Sequence, residues 1–379
     1  MKRLAVVIAA FALVLFVMPL RVFAENDVDT SGLKAYVLME PRTETVLEEY
    51  NGRLKMNAGY LSKLMTLYVI ASDIETGKYS LDDELSASQS VTGTKGSVVW
   101  LQAGDKMTVD ELLKSVIIGN ANDAVTVLAE ASEQTVDAFV KRMNREAFDL
   151  GLRDSAFYSP YGYYDEREYT TACDMAVICS KLSGFDFLRP YFHTWRDFVR
   201  NDQTELVNEN VFARTYEQMI GFKACHSEES GYCAAEGAAD ENGDIYISVV
   251  LGAEDSDISL STSKYLIKYG FRNFHVVDAA FPDEMMMPVP VRRGESDSVE
   301  IMLERSKLAA VPTGSGELMS AAVLPVFLNA PVRKGQRIGS VGFYSGKTLV
   351  CETDIIVKTA VDKMNIGFVF RKMLFNLVE

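Results

Sequence analysis

Apolar residues in the first half of the chain fall first into short runs and then into a helical repeat. Residues 34–50 place two short segments on either side of a Pro-Arg-Thr-Glu turn, which predicts two short strands. From Leu61 to Val69, apolar residues recur at three-and-four spacing, which predicts a helix over residues 58–75. The same period predicts helices over residues 109–118, 122–132, 134–150 and 170–183. Thr108 is followed by Asp110 and Glu111, so we expect it to cap the first of these four helices.

Strand patterns return after residue 217. Residues 218–224, 230–238 and 245–252 are predicted strands, and residues 259–269 are a predicted helix that ends at Gly270. A strand pair, a run of helices, an antiparallel set and a closing helix indicate an α+β domain rather than βαβ repeats.

From about residue 277 the helical period fades, and Pro288 and Pro290 mark a linker-like segment. Short strands are predicted over residues 298–303, 307–311, 322–328, 337–344 and 348–357. The sequence therefore predicts a small all-β module over residues 277–360.

Both ends of the chain carry apolar segments. Lys2 and Arg3 precede an unbroken apolar run over residues 4–18, and Val22 and Ala24 are small residues at the positions that signal peptidases read. This pattern predicts a signal peptide over residues 1–24 and export to the extracytoplasmic face of the cell membrane or to the cell wall. The alternative, an uncleaved anchor, needs a span of about 20 residues, longer than this run.

Residues 361–379 place apolar side chains on one helical face and Lys372, Asn376 and Glu379 on the other. Such a helix is too short to span a bilayer, so two alternatives stay open: it lies in a membrane surface, or it docks on its own protein.

Composition narrows the classes of partner. The formal net charge is −15, which argues against nucleic acid as a partner. Three histidines and five cysteines show no metal-ligand spacing, so we expect neither a metal nor a cofactor. Cys225 and Cys233 flank a turn-like stretch, and outside the cytoplasm they can form a hairpin disulfide or remain buried free thiols.

The order of segments resembles the serine D-Ala-D-Ala carboxypeptidases, the low-molecular-mass penicillin-binding proteins. The strings that carry the resemblance are SKLMT (62–66), LQAGDKMTVDELL (101–113), NANDAVTVLAE (120–130), MNREAFDLGLRDSAF (143–157), YTTACDMA (169–176) and GFKACH (221–226). The resemblance implies a penicillin-binding, β-lactamase-like transpeptidase domain over residues 25–276. The β-domain and the amphipathic helix would follow it.

That family works through three motifs. A serine three residues before a lysine is the nucleophile, a Ser-x-Asn loop relays protons, and a Lys-Thr-Gly strand holds the substrate carboxylate and lines the oxyanion hole. Here the first motif has Lys63 but Tyr60 at the nucleophile position. The second keeps Asn122, with Asn120 in place of serine.

The third motif reads Lys223, Ala224, Cys225, so it keeps the lysine but has neither threonine nor glycine. His226 follows, where the resemblance places a backbone N–H of the oxyanion hole. Ser62 adjoins Lys63 but lies about 200° around a helix from position 60, so it should face away.

Three hypotheses follow. The first is a catalytically inactive homologue that binds peptidoglycan stem peptides or an envelope protein. The second is a working carboxypeptidase with a rearranged site, for example with Tyr60 as a nucleophile activated by Lys63. The third is a structural protein whose cleft is filled by Tyr60. Loss of the nucleophile in a comparable catalytic unit costs roughly 10⁶-fold in turnover, which favours the hypotheses without catalysis.

Overall fold

The computed structural model describes residues 28–282, 286–305 and 307–375, with side chains described as far as residue 370. The predicted signal peptide lies outside the described residues.

The strands in chain order are β1 (Ala35–Glu40), β2 (Thr45–Tyr50), β3 (Glu84–Ser86), β4 (Lys106–Thr108), β5 (Arg196–Val199), β6 (Thr204–Val207), β7 (Met219–Ser227), β8 (Gly231–Ala239), β9 (Ile245–Ala253), β10 (Phe274–Ala279), β11 (Val289–Arg292), β12 (Ser298–Val299), β13 (Ile301–Leu303), β14 (Lys307–Pro312), β15 (Met319–Val323), β16 (Leu328–Asn329), β17 (Arg337–Ser345) and β18 (Thr348–Val357). The α-helices are α1 (Lys63–Glu75), α2 (Val109–Ile117), α3 (Asn122–Glu133), α4 (Val136–Asp149), α5 (Ala172–Leu182), α6 (Arg189–His193), α7 (Val211–Thr215), α8 (Ser256–Asn273) and α9 (Ile366–Phe375).

The chain forms two compact units. The first contains Val28–Val277 and regains Leu308–Gly314, while the second contains Asp278–Lys307 and the residues from Ser315 onward. Pairing of β10 with β14 explains why a segment beyond residue 300 returns to the first unit.

A five-stranded antiparallel sheet, in the order β2-β1-β9-β8-β7, organises the first unit. All six residues of β1 are buried, because this strand lies inside the sheet and both of its faces are covered. Helices α5 and α8 both pack against β9. Strand β7 is at the edge, which leaves one side of its backbone free of a neighbouring strand within this sheet.

Helix α1 packs against α3, α4 and α5 in the same unit and is buried around most of its circumference. Its first turn is continued backwards by a 3-10 helix over Gly59–Ser62, so the predicted helix over residues 58–75 begins in a tighter form than expected. The predicted cap of α2 is confirmed: Thr108 and Glu111 form a reciprocal capping box.

The second unit contains two sheets, β13-β18-β17-β15 and β12-β11-β16. Every second residue of β17 and β18 points into its core, where Val341, Phe343, Ile355 and Val357 are at most 1% exposed. The prediction of one strand over residues 322–328 is wrong, because Pro325 lies between β15 and β16 and has no backbone N–H to donate.

Candidate active site

The nucleophile position lies in the 3-10 turn that leads into α1. Tyr60 is half-buried there, and Lys63 is the first residue of the α-helix. Gly162 packs against this turn so closely that a Cβ at that position would stand 2.5 Å from the Gly59 carbonyl oxygen and 2.8 Å from the Tyr60 Cα. Gly162 therefore packs directly against the backbone at position 60, and a side chain at position 162 would displace it.

Lys63 is wholly enclosed. Its exposed fraction is 0%, and its Nζ donates to the Asn120 backbone oxygen at 2.7 Å and to the Asn120 Oδ1 at 2.6 Å. Burial, and secondarily the positive charge of Lys223, holds the pKa of Lys63 well below its ordinary value. Lys63 of the first motif therefore contacts Asn120 of the second, as the resemblance implies. The contact is made by the Asn120 side-chain amide and backbone carbonyl, where the family has a serine hydroxyl.

Tyr60 presents the face of its ring to the same lysine. The Lys63 Nζ lies 5.2 Å from the centroid of the Tyr60 ring, a cation–π distance. Within the described part of the chain, no hydrogen bond joins the Tyr60 hydroxyl to Lys63.

Asn122 forms its side-chain hydrogen bonds with another part of the site. Its Nδ2 donates to the Lys95 carbonyl at 2.7 Å and to the Tyr163 hydroxyl at 3.2 Å. The residue is 1% exposed, and its Oδ1 has no hydrogen-bond partner among the described residues. The retained asparagine thus anchors the loop that contains Lys95.

The third motif lies on edge strand β7, where side chains alternate between the two faces of the sheet. Lys223 and Cys225 share the face toward the 3-10 turn. Lys223 is 8% exposed, and burial lowers its pKa. The Cys225 thiol donates to the Ala58 carbonyl oxygen, which lies 3.5 Å from its sulfur. Burial raises the pKa of this thiol, and the nearby backbone N–H groups of Leu61 and Tyr60 offset part of that rise. The motifs are therefore joined by a cysteine that fills the space beside Tyr60.

Cys225 and Cys233 are directly opposite each other in the register of β7 and β8. Both are buried free thiols, so of the two alternatives that the sequence left open, the structure has the free thiols and not the hairpin disulfide. The physical reason is that the sulfurs have separate partners. Cys225 contacts Ala58, whereas Cys233 contacts the Ser230 carbonyl and accepts the Gly252 N–H.

Ala224 and His226 alternate to the other face of β7. The His226 ring is solvent-exposed and packs on the Tyr232 ring with centroids 4.1 Å apart, so it forms no triad with Lys63. Both residues, together with Cys225 between them, line a cavity of about 230 Å³.

Two buried carboxyl groups near the site were not anticipated. Glu168 accepts a hydrogen bond from the Ser62 hydroxyl at 2.6 Å, which confirms that Ser62 faces away from Lys63. Glu236 lines the cavity beside Ala224 and accepts from the Asn210 Nδ2 at 3.0 Å, and its burial raises its pKa well above the ordinary value. Neither carboxyl belongs to a local motif, so only the assembled sheet and helices reveal them.

The fold and the order of these three motifs define a penicillin-binding, β-lactamase-like domain followed by an all-β domain. A sequence profile of D-alanyl-D-alanine carboxypeptidases, peptidase family S11, matches residues 23–255. A profile of the C-terminal domain of penicillin-binding protein 5 matches residues 274–363.

The chain is similar to the D-alanyl-D-alanine carboxypeptidase DacF of Bacillus subtilis, with 27% identity over 97% of this chain and 96% of the relative. It is 28% identical to DacC of Escherichia coli over 90% of this chain and 87% of the relative. The crystal structure of penicillin-binding protein 5 from Haemophilus influenzae superposes with a TM-score of 0.81 at 25% identity, covering 90% of this chain and 100% of that one. The chain therefore belongs to the D-alanyl-D-alanine carboxypeptidase family.

Proposed function

We propose that this chain is a catalytically inactive member of its family that acts in the cell envelope by binding peptidoglycan or an envelope protein. One observation carries the proposal: the lysine of the first motif is buried and makes both of its hydrogen bonds to Asn120, while position 60 holds a tyrosine. A base of this kind must touch the hydroxyl that it activates.

The oxyanion hole supports the same conclusion. Acyl transfer needs backbone N–H groups free to bind the oxygen that becomes negatively charged, and the N–H of the nucleophile residue is commonly one of them. Here Cys225 stands where the third motif of the family has glycine, and its buried sulfur lies 3.5 Å from the carbonyl oxygen of Ala58, just before the 3-10 turn that contains Tyr60. The cysteine side chain therefore fills space beside the backbone donor that an oxyanion would need.

The substrate end of the site is altered as well. In the related enzymes, a threonine hydroxyl at position 224 would contact the carboxylate of the peptide, and alanine has no such group. Lys223 remains but is 8% exposed. A stem peptide would have to displace buried side chains before its carboxylate could reach this lysine.

The alternative with Tyr60 as the nucleophile is disfavoured by geometry. Lys63 meets the ring face of Tyr60 rather than its hydroxyl, and the lysine is held in that position by Asn120. Activation of the phenol would require the two hydrogen bonds between Lys63 and Asn120 to break first.

Intact-mass spectrometry with a β-lactam tests the proposal. Residues 25–379 and a repaired variant, Tyr60→Ser with Asn120→Ser, Ala224→Thr and Cys225→Gly, are each incubated with benzylpenicillin. We expect no adduct on the natural chain and one covalent adduct on the repaired variant, since the scaffold is retained. Tyr60→Phe is the matched control, because it removes only the hydroxyl.

An adduct on the natural chain that disappears in Tyr60→Phe would overturn the proposal in favour of a tyrosine nucleophile. Release of D-alanine from a pentapeptide by the natural chain would overturn it as well. Failure of the repaired variant to acylate, although folded, would show that the cleft has changed beyond its three motifs.

A further inference from the structure

One of the two tryptophans of the chain stands in solvent on an unusual backbone. Trp100 is 69% exposed, and its φ angle is +56°. A bulky L-residue rarely adopts this left-handed conformation, and strained positions of this kind concentrate at ligand contacts. A strained backbone that holds a large aromatic ring in solvent points to a function for that ring.

The backbone around Trp100 is held from both sides. The Asp123 carboxylate accepts hydrogen bonds from the Val99 N–H at 3.1 Å and from the Leu101 N–H at 2.9 Å. The Arg200 guanidinium donates to the Val99 carbonyl at 2.9 Å and to the Trp100 carbonyl at 3.2 Å. These hydrogen bonds therefore hold the backbone in the conformation that exposes the indole.

These restraints connect Trp100 to the second motif. Asn122, directly before Asp123, donates from its side chain to the Lys95 carbonyl and from its backbone N–H to the Ser97 carbonyl. The first turn of α3 thus clamps the segment from Lys95 to Leu101, and the retained asparagine contributes to that clamp.

A depression of about 560 Å³ lies beside the indole. Its volume falls within the range of about 300–1,000 Å³ that is usual for small-molecule sites. Its polar lining consists mainly of uncharged amides and hydroxyls, from Gln89, Thr92, Thr94 and Gln102. Asp123 is the one ionisable side chain among the described residues that line the depression. Its carboxylate already accepts hydrogen bonds from the backbone N–H groups of Val99 and Leu101.

This combination defines the chemistry of a ligand. A flat aromatic face binds a ligand with an apolar C–H surface, and neutral amides and hydroxyls pair with hydroxyl and amide groups. A peptide with a free carboxylate or ammonium group would find no free countercharge in this lining.

We propose that the Trp100 depression binds a neutral β-1,4-linked chain of N-acetylated amino sugars, with one sugar ring stacked on the indole. The inference deepens the proposed function, on whose envelope location it rests, and it assigns the glycan rather than the stem peptide as the ligand of this surface.

Fluorescence can follow this site alone. Trp195→Phe leaves Trp100 as the only indole, and Trp195 is half-buried under Arg214, away from the depression. The variant is titrated with the β-1,4-linked tetramer of N-acetylglucosamine, which is neutral. We expect a saturable blue shift of the emission with this probe.

Calorimetric titration with the same tetramer then compares variants. Trp100→Ala should lower the affinity at least tenfold, while Trp100→Phe should retain part of it because a flat ring remains. Tyr164→Ala is the matched control, since Tyr164 is also an exposed aromatic, at 55%, and does not line the depression. It should bind like the natural chain.

Unchanged fluorescence up to millimolar sugar would overturn the inference, as would equal affinity of the Trp100→Ala and natural chains. Binding of a free stem peptide that is lost in Trp100→Ala would overturn the assignment to glycan. Acylation by benzylpenicillin is measured separately, so a failure of the proposed inactivity leaves a positive sugar titration intact and is distinguishable from it.

Discussion

Three altered motif positions lie around a single lysine. The Asn120 side chain accepts a hydrogen bond from the Lys63 Nζ, the Tyr60 ring lies over the same Nζ, and the sulfur of Cys225 lies against the Ala58 carbonyl beside Tyr60. Asn120 and Tyr60 thereby hold the amine that catalysis would have needed free. A buried, fully bonded polar cluster stabilises one conformation, whereas a catalytic site must leave donors and acceptors unpaired until substrate arrives.

The titration of Lys63 provides a prediction about this cluster. Because the pKa of Lys63 is lowered in the folded state from its ordinary 10.5, the unfolded chain holds a proton that the folded chain has lost, over the window between the two values. The free energy of unfolding should therefore rise with pH in that window, by at most about 1.4 kcal/mol per pH unit from this group.

The variant Lys63→Met removes the pH-dependent contribution of Lys63 to the free energy of unfolding. Urea unfolding from about pH 7.5 to about pH 9.5 should show the natural chain gaining stability relative to Lys63→Met as pH rises. Lys141→Met, at an exposed position of α4, is the control and should run parallel to the natural chain. Parallel profiles for Lys63→Met and the natural chain would mean that Lys63 is solvated in solution and that the cleft is open.

At the scale of single residues, the sequence identified the members of the cluster around Lys63 but not all of their contacts. The resemblance to the family placed Lys63 and Asn120 in one site, whereas the helical angle alone turned Ser62 away, because that angle follows from local spacing. The contact between Cys225 and Ala58 could not be predicted, since 167 residues separate the two positions and only the approach of β7 to the 3-10 turn joins them.

Among the elements, long periodic segments were predictable and short ones were not. The helices α2 to α5 and the strands β7 to β9 follow from apolar period and capping residues. The hairpin of β5 and β6 was missed, because its four-residue strands leave too little pattern to distinguish from a loop. The single predicted strand over residues 298–303 is divided at Glu300, where β12 ends and β13 begins in another sheet.

Helix α9 provides the prediction at this scale, and we propose that it lies in a membrane surface. Ile366 and Phe370 are 89% and 63% exposed, so the described part of the chain leaves their apolar side chains uncovered. No helix among the described residues has the length and apolar character that a bilayer span needs. An apolar helix face of this length suits the interface between headgroups and acyl chains.

Sedimentation with phosphatidylcholine vesicles checks the proposal. The double variant Ile366→Glu and Phe370→Glu should bind at least tenfold more weakly than residues 25–379, since two apolar anchors become charged. Val323→Glu with Val326→Glu is the matched control, because these residues are also exposed and apolar, at 72% and 86%, but lie outside α9. Equal loss in both double variants, or binding unaffected by the α9 change, would contradict the proposal.

At the scale of the whole molecule, the division of the chain is less simple than its composition suggested. The fading of the helical period predicted a boundary near residue 277, and the first compact unit contains Val28–Val277. Leu308–Gly314 nevertheless belongs to the first unit, through β14 and its partner β10. A return of this kind has no signature in composition, because it depends on pairing between strands distant in sequence.

That return can be tested with the native tryptophans, since Trp100 and Trp195 both lie in the first unit. Ala309 lies in β14 and is 1% exposed, so Ala309→Asp places a charge at a buried position of this strand. We expect the tryptophan-detected melting temperature to fall by several degrees.

Val341→Asp, in the core of the second unit, is the control and should shift this transition much less. If Val341→Asp lowers the tryptophan transition as much as Ala309→Asp does, the two units unfold together; if Ala309→Asp leaves it unchanged, β14 contributes nothing to the stability of the first unit.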